Sequence, residues 1–280
     1  MTLHLSTAYL LVSHGSRDPR PEVAVKKLAR LLADRLAVAR QPTALSAQRH
    51  SHWNRIPGGS LGDREGKGED SASPLVGTAQ LELHPLPLHQ QILEFSDRAA
   101  SLGCERICIL PLFLLPGVHV MEDIPEEVQT ARQLLGESRI LDVRPHLGRE
   151  TLGLTRLVAS QIQGLQAKDP RDRPWILVSH GSRREGANTT VEEMAQRLDA
   201  VTAYWSRSPS LEERVEQLRA AGDRQIGIVP YFLFTGGITD AIGESVRQLS
   251  QQQPPLEFQL AEPLGPSDEL ADLILHLTQK

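Results

Sequence analysis

The same sequence signature occurs twice in this chain, and the duplication limits the possible folds more than any other feature. Residues 10–17 read LLVSHGSR, and residues 176–183 read ILVSHGSR. A second pair follows in the same order, with LPLFLLPG at 110–117 and VPYFLFTG at 229–236. Matched motifs in one order, with only the spacing varied, indicate a duplicated domain.

The two copies differ where side chains could carry chemistry. Three residues of the first copy can bind a metal or accept a proton, and their counterparts in the second copy keep only one such group. The pairs are His14 with His180, Glu82 with Ser206, and His119 with Ile238. The first half therefore holds a possible reactive group of two histidines and a carboxylate, and the second half keeps the scaffold with one histidine.

Short β-rich runs alternate with amphipathic helical stretches in both halves. The predicted strands of the first half lie in 8–13, 75–83, 106–113 and 139–143, and those of the second in 175–179, 201–205, 225–232 and 257–261. Alternating strands and helices of this length predict an α/β fold with parallel sheets. We expect two tandem Rossmann-like domains, each with a mainly parallel sheet flanked by helices. The sequence DIPE at 123–126 predicts a helix start with Asp123 as its N-cap.

The repeat also predicts the domain boundaries. We expect an N-terminal domain at 1–166 that carries the active site, a linker at 167–174 and a degenerate repeat at 175–280. Residues 41–74 are rich in glycine, serine and charge, lack periodicity and have no counterpart in the second half. This composition predicts a mobile insertion.

Composition excludes several classes of protein. A net charge of −5 argues against nucleic acid as a partner, because phosphate binding needs a basic field. No apolar run reaches the roughly 18 residues that span a bilayer, which argues against a membrane protein. The two cysteines, Cys104 and Cys108, have neither redox nor zinc-site spacing. These features favour a protein of the reducing cytoplasm.

The group His14, Glu82 and His119 is predicted to lie at or just past strand ends. Parallel sheets bind ligands beyond the carboxyl ends of their strands, so the three side chains should share one rim. Imidazole and carboxylate ligands suit iron, cobalt, nickel or zinc, and the same groups can accept protons. The alternative is that each histidine is only a hydrogen-bonded loop residue.

The SHGSR turns offer a second set of candidate groups. The hydroxyl of Ser16 and the guanidinium groups of Arg17 and Arg183 could bind carboxylates or phosphates. Arg20 and Arg184 extend this set of cations. The alternative is a tight turn with a capping serine. The chain contains neither G-x-G-x-x-G nor a Walker sequence, so a phosphate-binding enzyme is the weaker hypothesis.

SHGSR followed by PLFLLPGVHVMEDIP resembles the sirohydrochlorin chelatase family, the CbiX/SirB type of class II chelatase. The resemblance covers both halves and leaves out only the insertion and the linker. It implies insertion of a divalent ion, Co²⁺ or Fe²⁺, into sirohydrochlorin without ATP, in cobalamin or siroheme biosynthesis. The family's metal-binding histidines match His14 and His119, and its carboxylate matches Glu82.

The resemblance also bears on ligands and assembly. It implies no tightly bound cofactor, since the metal is a substrate, and a monomer that resembles a fused dimer. Ser16, Arg17, Gly117, His180 and Arg183 are then candidates for binding the carboxylate-rich tetrapyrrole. The main alternative is a non-catalytic metal or tetrapyrrole carrier with the same fold. Cobalt and iron are not distinguished by the sequence.

Overall fold

The structure is a computed structural model that describes residues 6–40, 73–169, 171–184, 186–253 and 255–279. The predicted insertion at 41–74 lies almost wholly outside these residues. In the described part of the chain, no helix is both long and apolar enough to cross a membrane.

The first half forms a four-stranded sheet. Its strands and helices are β1 (Thr7–Ser13), α1 (Pro19–Arg40), β2 (Val76–Gln80), α2 (Leu88–Ser101), β3 (Arg106–Pro111), α3 (Ile124–Leu135), β4 (Ile140–Val143) and α4 (Thr151–Lys168). The strand order is β2-β1-β3-β4, and every pairing is parallel.

The second half repeats this arrangement. It contains β5 (Trp175–Ser179), α5 (Thr189–Arg197), β6 (Ala200–Tyr204), α6 (Leu211–Ala221), β7 (Gln225–Pro230), α7 (Gly237–Gln252), β8 (Glu257–Leu260) and α8 (Asp268–Thr278). The order is β6-β5-β7-β8, again with parallel pairing throughout. The prediction of two Rossmann-like sheets flanked by helices is confirmed.

Both faces of each sheet are covered by helices, and both faces therefore carry apolar side chains. Successive side chains of a strand point to opposite faces, so Leu10 and Val12 enter one core while Leu11 enters another. All three residues are at most 1% exposed. Cys104 and Cys108 are free thiols buried within these cores.

Three cores give the molecule a layered build. One outer core lies between the first sheet and helices α2 and α3, and the other lies between the second sheet and helices α6 and α7. The central core lies between the two sheets and contains apolar residues of α1, α4, α5 and α8. The four central helices therefore fix the two sheets relative to each other.

The last helix of each half packs across the molecule. Helix α8 contacts α1 and β3 of the first half, where Arg35 forms ion pairs with Asp268 and Asp272. Helix α4 contacts α5, and the carbonyl of Leu165 accepts a hydrogen bond from Gln259 at the end of the second sheet. The packing thus crosses the predicted linker at 167–174.

Candidate metal site

The carboxyl edge of the first sheet brings two of the predicted residues together. His14 follows the last residue of β1, and Glu82 lies two residues past the end of β2. The backbone N–H of Glu82 donates to the carbonyl of His14 at 2.9 Å. Gly15 has φ 102°, and a Cβ there would overlap the carbonyl oxygen of Glu82. Only glycine lets the SHGSR turn approach the glutamate segment this closely.

His119 reaches the same edge by another route. The expectation that it lies at a strand end is wrong, because β3 ends at Pro111 and His119 begins a π-helical turn, His119–Asp123, that continues into α3. The loop from Pro111 carries the histidine back over the end of the sheet. There its ring meets that of His14 edge-on, with 4.7 Å between the ring centroids.

The π-helical turn contains one residue more than the matching segment of the second half. Buried Ile124 lies seven positions after Gly117, whereas buried Ile242 lies six positions after Gly236. In the second half, α7 runs through this region as an ordinary α-helix. A single-residue insertion of this kind widens one turn of a helix, and such turns are frequent at functional sites.

The two histidines and the glutamate form a group that could hold a metal ion. One ligand atom from each of His14, Glu82 and His119 lies within 4.8 Å of the others. His14 Nε2 is 3.8 Å from Glu82 Oε2, and His119 Nδ1 is 3.8 Å from Glu82 Oε1. Two atoms bound to one ion through bonds of about 2.1 Å lie at most about 4.2 Å apart. Small side-chain rotations would therefore let His14 and Glu82 share an ion, and His119 could join them through whichever of its ring nitrogens carries no proton.

Asp123 is a residue that the sequence analysis misassigned. Its backbone is helical, and its side chain caps no N–H, so its predicted role as N-cap is wrong. The side chain instead accepts a hydrogen bond from His119 Nδ1 at 2.6 Å. The proton is then on Nδ1, which leaves Nε2 with its lone pair free. The H-x-x-x-D spacing, which puts two residues on one helical face, was the available signal.

The group is open to solvent. The side chains of His14, Glu82 and His119 are 51%, 48% and 33% exposed. Structural metal sites are closed and fully liganded, whereas sites that act on a substrate keep open positions. An open group of three ligands suits an ion that arrives and leaves.

A cleft of about 710 Å³ lies beside this group and is lined by both halves. Most of its wall is apolar, with Phe113 from one half and Phe234 from the other. Among the predicted substrate-binding residues, Ser16, Gly117 and His180 line it. A cleft of this size and character suits a small organic ligand.

The predicted arginines lie elsewhere. Arg17 and Arg183 are exposed and are not among the described residues that line the cleft. Arg20 is paired with Asp18 of its own turn and with Asp240 of α7. Arg184 of the second half lies 3.8 Å from Glu122 of the first, so both of these arginines form ion pairs between the halves.

The second half reproduces the backbone of the site but keeps only His180 of the three possible ligands. Ser206 N–H donates to the carbonyl of His180 at 2.9 Å, as Glu82 does to His14. Glu82 and Ser206 therefore occupy equivalent positions in the structure as well as in the repeated sequence. Burial lowers the pKa of His180, and the nearby His14 lowers it further. His180 thus faces the metal group across the cleft as a neutral imidazole.

Comparison of the sequence with known proteins identifies a family and several relatives of this chain. The family model CbiX matches residues 68–163 and 174–280, a span that includes Glu82, His119 and His180. A sirohydrochlorin ferrochelatase from Priestia megaterium is 30% identical over 182 residues, covering 62% of this chain and 67% of the relative. A sirohydrochlorin cobaltochelatase from the same organism is 29% identical over 230 residues, covering 76% and 72%.

Solved structures share the fold. The chain superposes on SirB from Bacillus subtilis with Fe³⁺ with a TM-score of 0.68, covering 98% of this chain and 95% of that one. The sequences are 19% identical, so this likeness bears on the fold alone.

Proposed function

Since this chain belongs to the CbiX family, we propose that it is a sirohydrochlorin chelatase that inserts a divalent metal ion into the tetrapyrrole. The observation that carries the proposal is the open group of His14, Glu82 and His119 at the edge of an apolar cleft. The ion would bind at this group while the macrocycle occupies the cleft between the halves. No nucleotide takes part in this scheme.

The same three residues would serve both parts of the reaction. Metal insertion replaces protein ligands by ring nitrogens and releases two N–H protons, so a base must lie near the ring. Glu82 lies between the two histidines, 3.8 Å from each, and would take up the two protons one after the other as the ion leaves it. Its exposure gives each proton a path to water.

We propose that both Co²⁺ and Fe²⁺ are accepted as substrates. Two imidazoles and one carboxylate suit either ion, and the relatives include a ferrochelatase and a cobaltochelatase. For nitrogen and oxygen ligands Co²⁺ binds more tightly than Fe²⁺. Competition between the two ions in equal concentration should therefore favour cobalt at the binding step.

The test is anaerobic incubation of the protein with sirohydrochlorin and either ion, followed by absorbance. Metallated product in molar excess over the protein is expected. Product that stops at one equivalent and stays bound would contradict catalysis and favour a carrier. Absence of any metallated product with either ion would remove the proposal.

A matched pair of histidine variants locates the site. His14→Ala should lose insertion and weaken Co²⁺ binding, because it removes one of three ligands. His180 occupies the same position of the repeated motif, but the second half has no counterpart of Glu82 or His119 beside it. The His180→Ala variant should therefore retain Co²⁺ binding. Equal loss of Co²⁺ binding in both variants would place ligands in the second half.

A further inference from the structure

Two buried hydroxyl groups on the second-half wall of the cleft have no partner in the protein. Ser179 is the last residue of β5, and Tyr231 directly follows the last residue of β7. Both residues line the cleft. They are 1% and 2% exposed. Within the described residues, neither Ser179 Oγ nor Tyr231 Oη has a hydrogen-bond partner.

The two hydroxyls are on the same face of the second sheet. Val178 of β5 is paired with Pro230 of β7, so Ser179 and Tyr231 are the next neighbours in register. Parallel strands lie about 4.8 Å apart and alternate their side chains, so both point to the face that looks toward the other half. The membership of Tyr231 in the central core agrees with this direction.

The first half has no equivalent pair. The matching strand ends carry Ser13 and Leu112, since Leu112 N–H donates to the carbonyl of Val12 as Tyr231 N–H does to that of Val178. Ser13 Oγ donates to the carbonyl of Ala79 at 3.4 Å, and Leu112 carries no hydroxyl. The unpartnered pair is therefore a feature of the second half rather than of the shared scaffold.

Both groups are available as donors. Burial raises the pKa of Tyr231 well above its usual range, so the phenol keeps its proton. A serine hydroxyl is neutral at any ordinary pH. A buried donor without an acceptor destabilises the folded protein, which favours an occupant that supplies one. A carboxylate suits two neighbouring O–H donors, because its two oxygens accept strong hydrogen bonds.

We propose that Ser179 and Tyr231 form a subsite that binds one carboxylate arm of the tetrapyrrole. The proposal rests on the proposed function, because it assigns the carboxylate to that substrate. It places the macrocycle with one arm against the second-half wall, opposite the metal group. The second half then holds the substrate, and the first half holds the ion.

The test uses the full chain with Tyr231→Phe and Ser179→Ala, and measures binding without metal. Metal-free sirohydrochlorin and its methyl ester are titrated anaerobically, followed by absorbance. Loss of a hydrogen bond to a charged group should weaken binding of the free acid about tenfold in Tyr231→Phe. The ester should be affected less, because it has lost the charge.

Thermal unfolding without ligand supplies a second measurement, in which the same substitutions should not weaken the protein. Replacing an unpartnered hydroxyl by hydrogen should leave the melting temperature unchanged or raise it, by up to about 4 °C. Tyr204→Phe is the matched control, because Tyr204 is equally buried but donates to Glu192 at 2.9 Å. That variant should melt lower and bind the tetrapyrrole as the wild type does.

Three outcomes would overturn the subsite. A Tyr231→Phe protein that binds the free acid as tightly as the wild type would mean that the hydroxyl is merely buried. Equal weakening for acid and ester would assign the contact to the ring instead. Failure of the wild type to bind either tetrapyrrole would contradict the proposed function, a result distinguishable from the first two.

Discussion

At the scale of single residues, the candidate site depends on how its ligands are held as much as on the ligands themselves. Gly15 lets the backbone of Glu82 pack against the SHGSR turn, and Asp123 holds the ring of His119. A carboxylate that accepts from the second nitrogen of a ligating histidine fixes its tautomer and orientation and raises its basicity. These supporting residues should therefore affect metal affinity without touching the ion.

The first residue-scale prediction concerns Asp123. Asp123→Ala should weaken Co²⁺ binding about 10- to 100-fold, the usual range for such supporting groups. Asp123→Asn, which keeps an acceptor but loses the charge, should fall between this variant and the wild type. The measurement is a Co²⁺ titration followed by visible absorbance, without tetrapyrrole.

Glu127→Gln provides the control for Asp123. Glu127 lies on the same helix and accepts from His89 at 2.9 Å, but His89 is not part of the metal group. The variant should bind Co²⁺ normally. Unchanged Co²⁺ affinity in Asp123→Ala would show that the hydrogen bond to His119 has no role in holding the ion.

The second residue-scale prediction concerns pH. His146 is 8% exposed, and burial, followed by the charge of Arg149, lowers its pKa below 6.5. As the pH falls below 6.5, the unfolded chain binds a proton that the folded chain does not. The free energy of unfolding should then fall by at most about 1.4 kcal/mol per pH unit from this group, until the folded pKa is passed.

Urea unfolding at pH 7.5 and pH 5.5 measures this effect. His146→Gln should lose less stability between the two pH values than the wild type does, while the contribution of His180 stays the same in both proteins. An identical loss in the two proteins would mean that His146 does not titrate differently in the folded and unfolded chains.

At the scale of elements, the π-helical turn distinguishes the half that contains His14, Glu82 and His119 from the half that lacks two of these groups. Both halves have a helix after the third strand, and the first buried residue of each helix is an isoleucine, Ile124 in α3 and Ile242 in α7. The first half accommodates one extra residue before that isoleucine. Each residue turns a helix by about 100°, so the insertion sets the direction of His119 relative to the buried face.

Deleting Met121 tests this role of the extra residue. Met121 is 53% exposed, so its removal costs little packing, but it should rotate His119 by about 100° away from Glu82. We expect a folded protein that has lost Co²⁺ binding and metal insertion. Met121→Ala keeps the residue count and should retain both. Normal Co²⁺ binding after the deletion would show that the turn does not direct the histidine.

At the scale of the whole molecule, the halves are bound together by helices α4 and α8, each of which contacts the other half. Helix α8 is encoded after the second sheet but packs on α1 and β3 of the first half. Ile274 of this helix is fully buried in the central core, whereas Ile242 of α7 is buried in the outer core of the second half. The stability of the first sheet should therefore depend on the last helix of the chain.

Two isoleucine variants test this coupling by hydrogen exchange with mass spectrometry. Ile274→Ala and Ile242→Ala remove the same atoms, and each should cost about 2–5 kcal/mol. Ile274→Ala should increase exchange in β3 and α1, far away in sequence, while Ile242→Ala should act on the second sheet. Loss of protection confined to residues 175–279 in both variants would contradict a stabilising role of α8 in the first half.

Much of the fold, and the proximity of the three candidate metal ligands, could be predicted from the sequence. Apolar periodicity predicts strands and helices because each element must bury one face. The repeat supports each assignment, because the same order of elements occurs in both halves. The internal comparison marked His14, Glu82 and His119 because the second copy shows which positions the scaffold can do without. The resemblance to the CbiX family is confirmed over residues 68–163 and 174–280, a span that contains Glu82 and His119 but not His14.

Only the tertiary structure decided how these residues are supported and how the halves are joined. The H-x-x-x-D spacing is compatible with a bond between His119 and Asp123 but did not decide it, because DIPE fits a helix cap as well as the middle of a continuous helical run. The amphipathic pattern of α4 and α8 indicates that each helix buries one face, but it does not indicate which part of the molecule covers that face. Local propensity determines an element and its buried face, whereas the choice of neighbour depends on contacts between residues distant in sequence.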